Sequence, residues 1–500
     1  MSTSITPVMQ QIETVVFLML ENRSLDNVLG WLYDGSKPAV VYPPGSSTSF
    51  DGIPADAKNS YHDTTYSPAN GTAGFNQPFR VPAFDPGETI DHVKRQLYAD
   101  AYGKMPKGDF WSSDPPMTGF ELDYRAVYES EPGQVMGAYN KSQLPVLYGL
   151  AENFAVSDRW FCSMPTQTDP NRAFSVCGTS LGAETNKEIN KETFKNSPTI
   201  FNALGSAGKS WGMYWQTENP LGTGEPIFSY APFTSYYFSQ MNNAPNGVIE
   251  PYKNFLSALA AGKAPNFCFL EPWWGGGFGN PVTRDGFIGL QGNDYHPPAW
   301  IGPAEDDLNT LYQALVSSPQ WSKMLFILTF DEHGGTYDHV PPTLCLAPDR
   351  HVGKSGFDFK RLGVRVPTIL VSPYITAGTV FRAPAGSKYD LDHTSFIATM
   401  LKWAGVEPSS AALGDRVAAA PTFEGVLSNT ARKDKPCFTV PSGYASQGGG
   451  TGHFNFGMSL PLTSHEQPMD IHVFREAADT SATPEEFAQR LEALGRGDES

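Results

Sequence analysis

Two short apolar runs, more than three hundred residues apart, end in the same way. Val15-Val16-Phe17-Leu18-Met19-Leu20 stops on Glu21-Asn22, and Met324-Leu325-Phe326-Ile327-Leu328-Thr329-Phe330 stops on Asp331-Glu332. Runs of this length, dense in aliphatic and aromatic residues and bounded by polar clusters, read as strands buried on both faces of a parallel sheet. Such a sheet needs helices on both sides, so the chain is constrained to an α/β architecture. Ligands of open α/β sheets gather beyond the carboxyl ends of the strands. Three carboxylates and an amide meeting there make an oxygen cage for a divalent metal. A single acidic pair after a strand serves equally as a helix N-cap or loop start. Two matching pairs favour the cage.

The intervening chain fits that architecture. Helical character over 91–105, an apolar helix from Leu144 to Phe154 and a strand at Phe154-Ala155-Val156 follow the first acidic pair. A helix after residue 200 leads to a strand from Trp211 to Trp215, and Phe267-Cys268-Phe269-Leu270 forms another, ending on Glu271-Pro272-Trp273-Trp274. A helix over 305–316 precedes the second acidic strand, and a strand at 366–371 and a helix at 393–404 come after it. Strands alternating with helices predict a mainly parallel sheet covered on both faces. Residues 33–90, rich in Pro, Gly, Ser and Asp, predict a loop insertion, as do 217–250 around Tyr236, Tyr237 and Phe238. The Gly-rich stretch 442–457 predicts a linker, and Thr483 caps a short amphipathic helix over 484–494.

Charge narrows the function. The 500 residues carry a net charge of −17 without a Lys/Arg block. That excludes an electrostatic nucleic-acid binder and argues against tight docking on anionic membranes. It leaves open a soluble phosphate ester, transient contact with a zwitterionic lipid surface, and the oligomeric state. The five cysteines show neither C-x-x-C pairs nor zinc spacing, and spacing does not decide whether Cys162 pairs with Cys177. No apolar segment reaches the ~18 residues of a membrane span. The run at 15–20 lacks a basic flank and a small-residue cleavage site. The expectation is a soluble chain without a classical signal peptide, cytoplasmic or exported by a non-classical route.

Hydrolysis of a phosphate ester needs a nucleophile, a counter-charge for the phosphoryl oxygens and an acid for the leaving group. Thr166-Gln167-Thr168-Asp169-Pro170-Asn171-Arg172 opens toward a helix, whose N-terminus favours an anion. A threonine hydroxyl there becomes a nucleophile when a metal lowers its pKa, or is simply a cap. Asp331 to Pro342 holds two histidines and three carboxylates in twelve residues. Gly334 and Gly335 would let both acidic-His ends turn toward one cavity. His92, His296 and His393 each lie beside or near an aspartate that would orient the imidazole, whether for catalysis or as a structural hydrogen bond. Asp392 also suits a helix cap.

These segments resemble a phosphoesterase family that holds bacterial phospholipases C of the Pseudomonas and mycobacterial type and AcpA-type acid phosphatases. The matching blocks are FLMLENRSLDNVLGWL at 17–32, LAENFAVSDRWFCSMPTQTDPNRAFSVCGTS at 150–180, NDYHPP at 293–298, SPQWSKMLFILTFDEHGGTYDHVPP at 318–342, GVRVPTILVSPY at 363–374 and DHTSFIATMLKWAG at 392–405. The resemblance implies an alkaline-phosphatase-like α/β/α sandwich over 1–440, followed by a linker and tail over 441–500. It implies one divalent metal on Glu21, Asn22, Asp331, Glu332 and Thr168. An all-oxygen set favours calcium, magnesium or manganese, with zinc left open. It makes Thr168 the nucleophile, with Thr166 the alternative, His296 a phosphate binder or leaving-group acid, and His92 an early active-site histidine. Arg172 and His339 are then expected to bind substrate. Where the acid phosphatases carry a further histidine pair, this chain has Trp273, Trp274 and glycines. An aromatic lining there suits a choline head or an acyl chain. The expected activity is a phospholipase C releasing phosphocholine from phosphatidylcholine through a covalent phospho-threonine, with a broad-specificity acid phosphatase as the alternative.

Overall fold

The computed structural model describes residues 6–108, 111–128, 132–216, 233–274, 276–278, 288–290 and 292–444. Its centre is a nine-stranded sheet built from β1 (Thr14–Leu20), β2 (Val40–Tyr42), β5 (Ala155–Ser157), β7 (Trp211–Trp215), β8 (Gly247–Pro251), β9 (Phe267–Glu271), β12 (Met324–Phe330), β13 (Thr368–Val371) and β14 (Thr379–Phe381). Three small pairs complete the strands: β3 (Asn59–Tyr61) with β4 (Thr64–Tyr66), β6 (Trp160–Phe161) with β15 (Leu391–Asp392), and β10 (Gly276–Phe278) with β11 (Ile288–Leu290). The sheet order is β2-β14-β5-β13-β12-β1-β9-β7-β8. Within it β13 runs antiparallel to both neighbours, and the other pairings are parallel.

The two acidic strands are centre neighbours. β1 and β12 pair in register from Thr14↔Met324 to Leu20↔Phe330, and every residue of both is buried. Side chains alternate across the sheet. Phe17 stacks on Phe396 with ring centroids 4.0 Å apart, while Leu18 lines a cavity with Leu308 and Leu311. These contacts lie in α10 (His393–Trp403) on one face and α9 (Ile301–Ser317) on the other. The result is the expected α/β/α sandwich.

The other α-helices among the described residues are α1 (Leu25–Leu29), α2 (Ile90–Tyr98), α3 (Phe120–Val127), α4 (Pro145–Asn153), α5 (Thr168–Val176), α6 (Ile200–Ser206), α7 (Phe233–Tyr237), α8 (Tyr252–Ala260) and α11 (Asp415–Ala419). Ser24 caps α1 by accepting from Asn27 N, and Asp392 caps α10 by accepting from Thr394 N.

Both expected loop insertions contribute to the sheet, which corrects the sequence expectation. Residues 33–90 supply edge strand β2 and the β3–β4 hairpin, and residues 217–250 run into the opposite edge strand β8. Edge strands lack burial on both faces, and Val40 and Val248 are each 40% exposed, so neither reads as an apolar run. Residues 217–232 and 445–500, including the expected tail helix, lie outside the described residues. Cys162 and Cys177 are buried free thiols. Among the described residues no helix is long and apolar enough to cross a membrane.

Candidate active site

Because Leu20 and Phe330 are in register, the chain leaves both strands at one point, and Glu21 and Asp331 follow side by side. Asn22 takes φ +61°, a left-handed conformation that asparagine adopts more readily than most residues. Its backbone N–H donates to Asp331 Oδ1 at 3.1 Å. Gly334, at φ +59°, closes the following loop over Asn22: a Cβ there would lie 2.2 Å from the Asn22 carbonyl oxygen. His393 completes the support, its Nε2 lying 2.7 Å from the Asp331 carbonyl oxygen while its Nδ1 accepts from Trp160 Nε1.

Glu21, Asn22, Asp331 and Glu332 are fully buried. Arg172 of α5 reaches them, with Nη2 3.4 Å from Glu21 Oε1 and Nε 3.3 Å from Asp331 Oδ2. Its Nη2 also donates to the carbonyls of Met19 and Leu20 at the end of β1. The guanidinium lies over the Trp274 ring, Cζ 4.3 Å from the centroid. His296 enters from the other side, with Nε2 2.9 Å from Asn22 Nδ2 and 3.6 Å from Glu21 Oε2. Asp85 and Glu88 add two carboxylates around that imidazole, and Asn22 Nδ2 donates to Glu88.

So many acids in one buried space are electrostatically costly unless a cation joins them. Burial pushes the Asp331 carboxyl up, and Glu21 adds to this while Arg172 opposes it. Burial also raises Glu332, with Asp331 reinforcing the shift. Asn22 Oδ1 and Glu332 Oε1 are buried without a hydrogen-bond partner. Oxygen-only donors, orphaned acceptors and raised carboxyls on adjacent strand ends fit a hard divalent cation.

The other expected residues fall in different places. Thr168 is the first residue of α5, one turn ahead of Arg172 and on the same face. Asn171 braces the approach to it, donating to the carbonyls of Met164, Thr166 and Gln167. Thr166 Oγ1 donates to the Glu184 carbonyl at 2.5 Å. His92 stands beside the cage rather than in it, its Nδ1 3.0 Å from the Asp123 carboxylate and its ring against Gly87, next to Glu88. Trp273 pairs through its backbone with Asn293 and is half-buried. Trp274 is buried, so the cation its face meets is the protein's own Arg172.

The two ends of the 331–339 loop do not share a cavity, contrary to the sequence expectation. Gly334 and Gly335 do turn the chain, at φ +59° and +64°. Yet Asp338 and His339 join Asp26 and Arg365, with His339 Nδ1 2.7 Å from Asp26 Oδ2 and Arg365 Nε 3.0 Å from Asp338 Oδ1. His339 therefore belongs to a neighbouring ion-pair network. Sequence reasoning missed Asp85, Glu88 and Gln96. Gln96 donates to Gly87 O and Asp123 Oδ2, which leaves its Oε1 facing His333 Nε2 at 2.8 Å. Burial pushes the His333 imidazole down to about 3.

The chain is similar to known proteins over most of its length. The non-specific phospholipase C4 of Arabidopsis thaliana is 32% identical over 434 residues, covering 85% of this chain and 73% of the relative. Phospholipase C A of Mycobacterium tuberculosis is 26% identical over 77% of this chain and 71% of its own length. A solved protein of the alkaline phosphatase superfamily from Vibrio parahaemolyticus aligns over 69% of this chain and 75% of that one, at 12% identity and TM-score 0.33. The model of the phosphoesterase family matches residues 12–407, from the start of β1 past the end of α10, and the chain belongs to that family.

Proposed function

We propose that this phosphoesterase is a phospholipase C that releases phosphocholine from phosphatidylcholine-type lipids through a phospho-threonine at Thr168. One observation carries the proposal: Arg172, one turn into α5, ties that helix to the ends of both acidic strands through Glu21 and Asp331. Thr168 lies one turn earlier on the same helix face, which supports its place beside the oxygen cage. The commitment of Thr166 Oγ1 to the Glu184 carbonyl supports Thr168 over Thr166. The phospholipase C names of the relatives support the lipid substrate.

Glu21, Asn22, Asp331, Glu332 and Thr168 are the residues to hold a divalent ion, calcium, magnesium or manganese by hardness. When bound, it would lower the pKa of the Thr168 hydroxyl and offset charge on the phosphoryl oxygens. Arg172, held rigid between Trp274 and two carboxylates, presents a fixed positive charge to the phosphoryl group. Thr168 Oγ1, its proton released to solvent, bonds to phosphorus as the bond to the diacylglycerol oxygen breaks. His296 gives that oxygen its proton. Water then cleaves the phospho-threonine and frees phosphocholine.

The test is hydrolysis of phosphatidylcholine and of p-nitrophenyl phosphate, side by side, with and without chelator. Chelator-sensitive phosphocholine release is expected. Turnover of the monoester alone would move the assignment to an acid phosphatase. Thr168→Val should abolish turnover and Thr166→Val should not, both with native circular dichroism. Activity retained in Thr168→Val would sink the covalent mechanism.

A further inference from the structure

The loop carrying His296 is held by contacts that the reaction above does not use. Tyr295 sits at φ +69°, in the left-handed region where an aromatic residue is an outlier. Such a conformation persists only when its surroundings over-determine it. Here three contacts do so. The Tyr295 hydroxyl lies 2.6 Å from Glu305 Oε1, and Arg23 Nε donates to the Tyr295 carbonyl at 2.7 Å. The ring, 1% exposed, packs edge-on against Phe330, the last residue of β12, with centroids 5.7 Å apart.

Glu305 is anchored in turn. It is fully buried in α9 and accepts from Val146 N at 2.6 Å and Leu147 N at 3.2 Å, in the first turn of α4. These two amides belong to the four N–H groups that a helix N-terminus leaves without intrahelical partners. A line of hydrogen bonds therefore runs from the end of α4, through Glu305 and Tyr295, to the backbone that aims His296 at Asn22 and Glu21. Neither Glu305 nor Tyr295 makes a hydrogen bond or ion pair with Glu21, Asn22, Asp331 or Glu332 among the described contacts.

We propose that Glu305 and Tyr295 are positioning residues for His296, holding its imidazole where it protonates the departing oxygen. The inference rests on the role given to His296 above. It predicts a defect that depends on the leaving group, because only a poor leaving group needs the proton. Loss of packing alone would slow all substrates equally.

The experiment compares two phosphocholine esters. p-Nitrophenyl phosphocholine loses a stable phenolate, whereas dioctanoyl phosphatidylcholine must lose an alkoxide. Tyr295→Phe and Glu305→Gln should each lower kcat on the lipid roughly tenfold, a fraction of what a general acid contributes, and on the nitrophenyl ester by less than about threefold. KM should be unchanged for both esters. His296→Gln should show the same selectivity more strongly. Equal losses on both esters in Tyr295→Phe, beside a selective His296→Gln, would overturn the positioning role. A non-selective His296→Gln, or a wild type inactive on both esters, would overturn the reading beneath it and the inference with it. Tyr295→Phe removes one oxygen and keeps the ring, so the answer survives if Glu305→Gln fails to fold.

Discussion

The loop from Asp331 to His339 serves two buried acidic clusters that are completed differently. At its far end each carboxylate meets a cation. Arg365 bridges Asp26 at 2.9 Å and Asp338 at 3.0 Å, and His339 bridges Asp26 at 2.7 Å and Asp51 at 3.3 Å. Arg159 takes Asp51 and Arg382 takes Asp158. Among the described residues none of these four carboxylates has a buried oxygen without a hydrogen-bond partner. At the near end, Glu332 Oε1 and Asn22 Oδ1 have none; burial raises Asp331 and Glu332 there, as it raises Asp338 in the network. Ligand-like spacing occurs on both sides, since atoms of Asp26, Asp338 and His339 lie within 4.8 Å of one another, as do atoms of Asp85, Glu88 and His296 beside the cage. What separates them is how much of the countercharge the protein supplies. In the network Arg365, Arg159, Arg382 and His339 face four carboxylates, whereas in the cage Arg172 is shared by Glu21 and Asp331, and Glu332 has beside it His333, whose imidazole burial lowers.

The sharpest test removes one acid from the cage. Asp331→Asn should lower kcat/KM by at least about a thousandfold, on the scale of losing a group that acts in the transition state. Its stability in chelator should equal or exceed that of the wild type, because the substitution relieves repulsion at a functional site. Adding a divalent ion should raise the Tm of the wild type and leave that of Asp331→Asn unmoved. A variant that unfolds more readily in chelator would show that Asp331 is a structural ion-pair partner, and the contrast would fall.

The converse holds in the network. Arg365→Met strands Asp26 and Asp338 in the interior, and removing one partner of a buried pair costs about 3–5 kcal/mol. Urea denaturation in chelator measures it, so that metal binding does not mask the effect. A loss below about 1 kcal/mol, the range of surface pairs, would mean that the network does not hold the loop.

These tests also mark where the sequence was informative. β1 and β12 were legible because burial on both faces leaves uninterrupted apolar runs, and their parallel pairing follows from the same fact. The meeting of Glu21, Asn22, Asp331 and Glu332 was legible because they directly follow those strands. Asp85 and Glu88 were not, since they arrive from a Pro- and Gly-rich segment with no periodicity to place them. The fate of Asp338 and His339 was misread for a related reason. Their partner Asp26 stands more than three hundred residues earlier in the chain, and local spacing says nothing about the cation Arg365, three residues before β13, that bridges Asp26 and Asp338. Trp274 was expected to face a ligand and instead backs Arg172. Aromatic character is visible in a sequence, but the cation it meets is not.

The smallest effect is a pH dependence. Burial alone would lower the His339 imidazole, but its hydrogen bonds to Asp26 and Asp51 outweigh that and hold it at about 9, against 6.5 for a free histidine. Burial would raise the Asp51 carboxyl, but His339, Arg365 and Arg159 together push it below the usual carboxylate range. A folded-state pKa above the unfolded one gives stability that is complete below pH 6.5 and is lost as pH rises through about 9. The shift corresponds to stability on the order of 3 kcal/mol. His339→Gln lacks this contribution. The gap in unfolding free energy between wild type and variant should therefore be widest below pH 6.5 and close above about 9. A gap constant across that window would mean that His339 is neutral in the folded protein. The network would then also hold negative charge that the chain leaves uncompensated, and countercharge would no longer distinguish it from the cage.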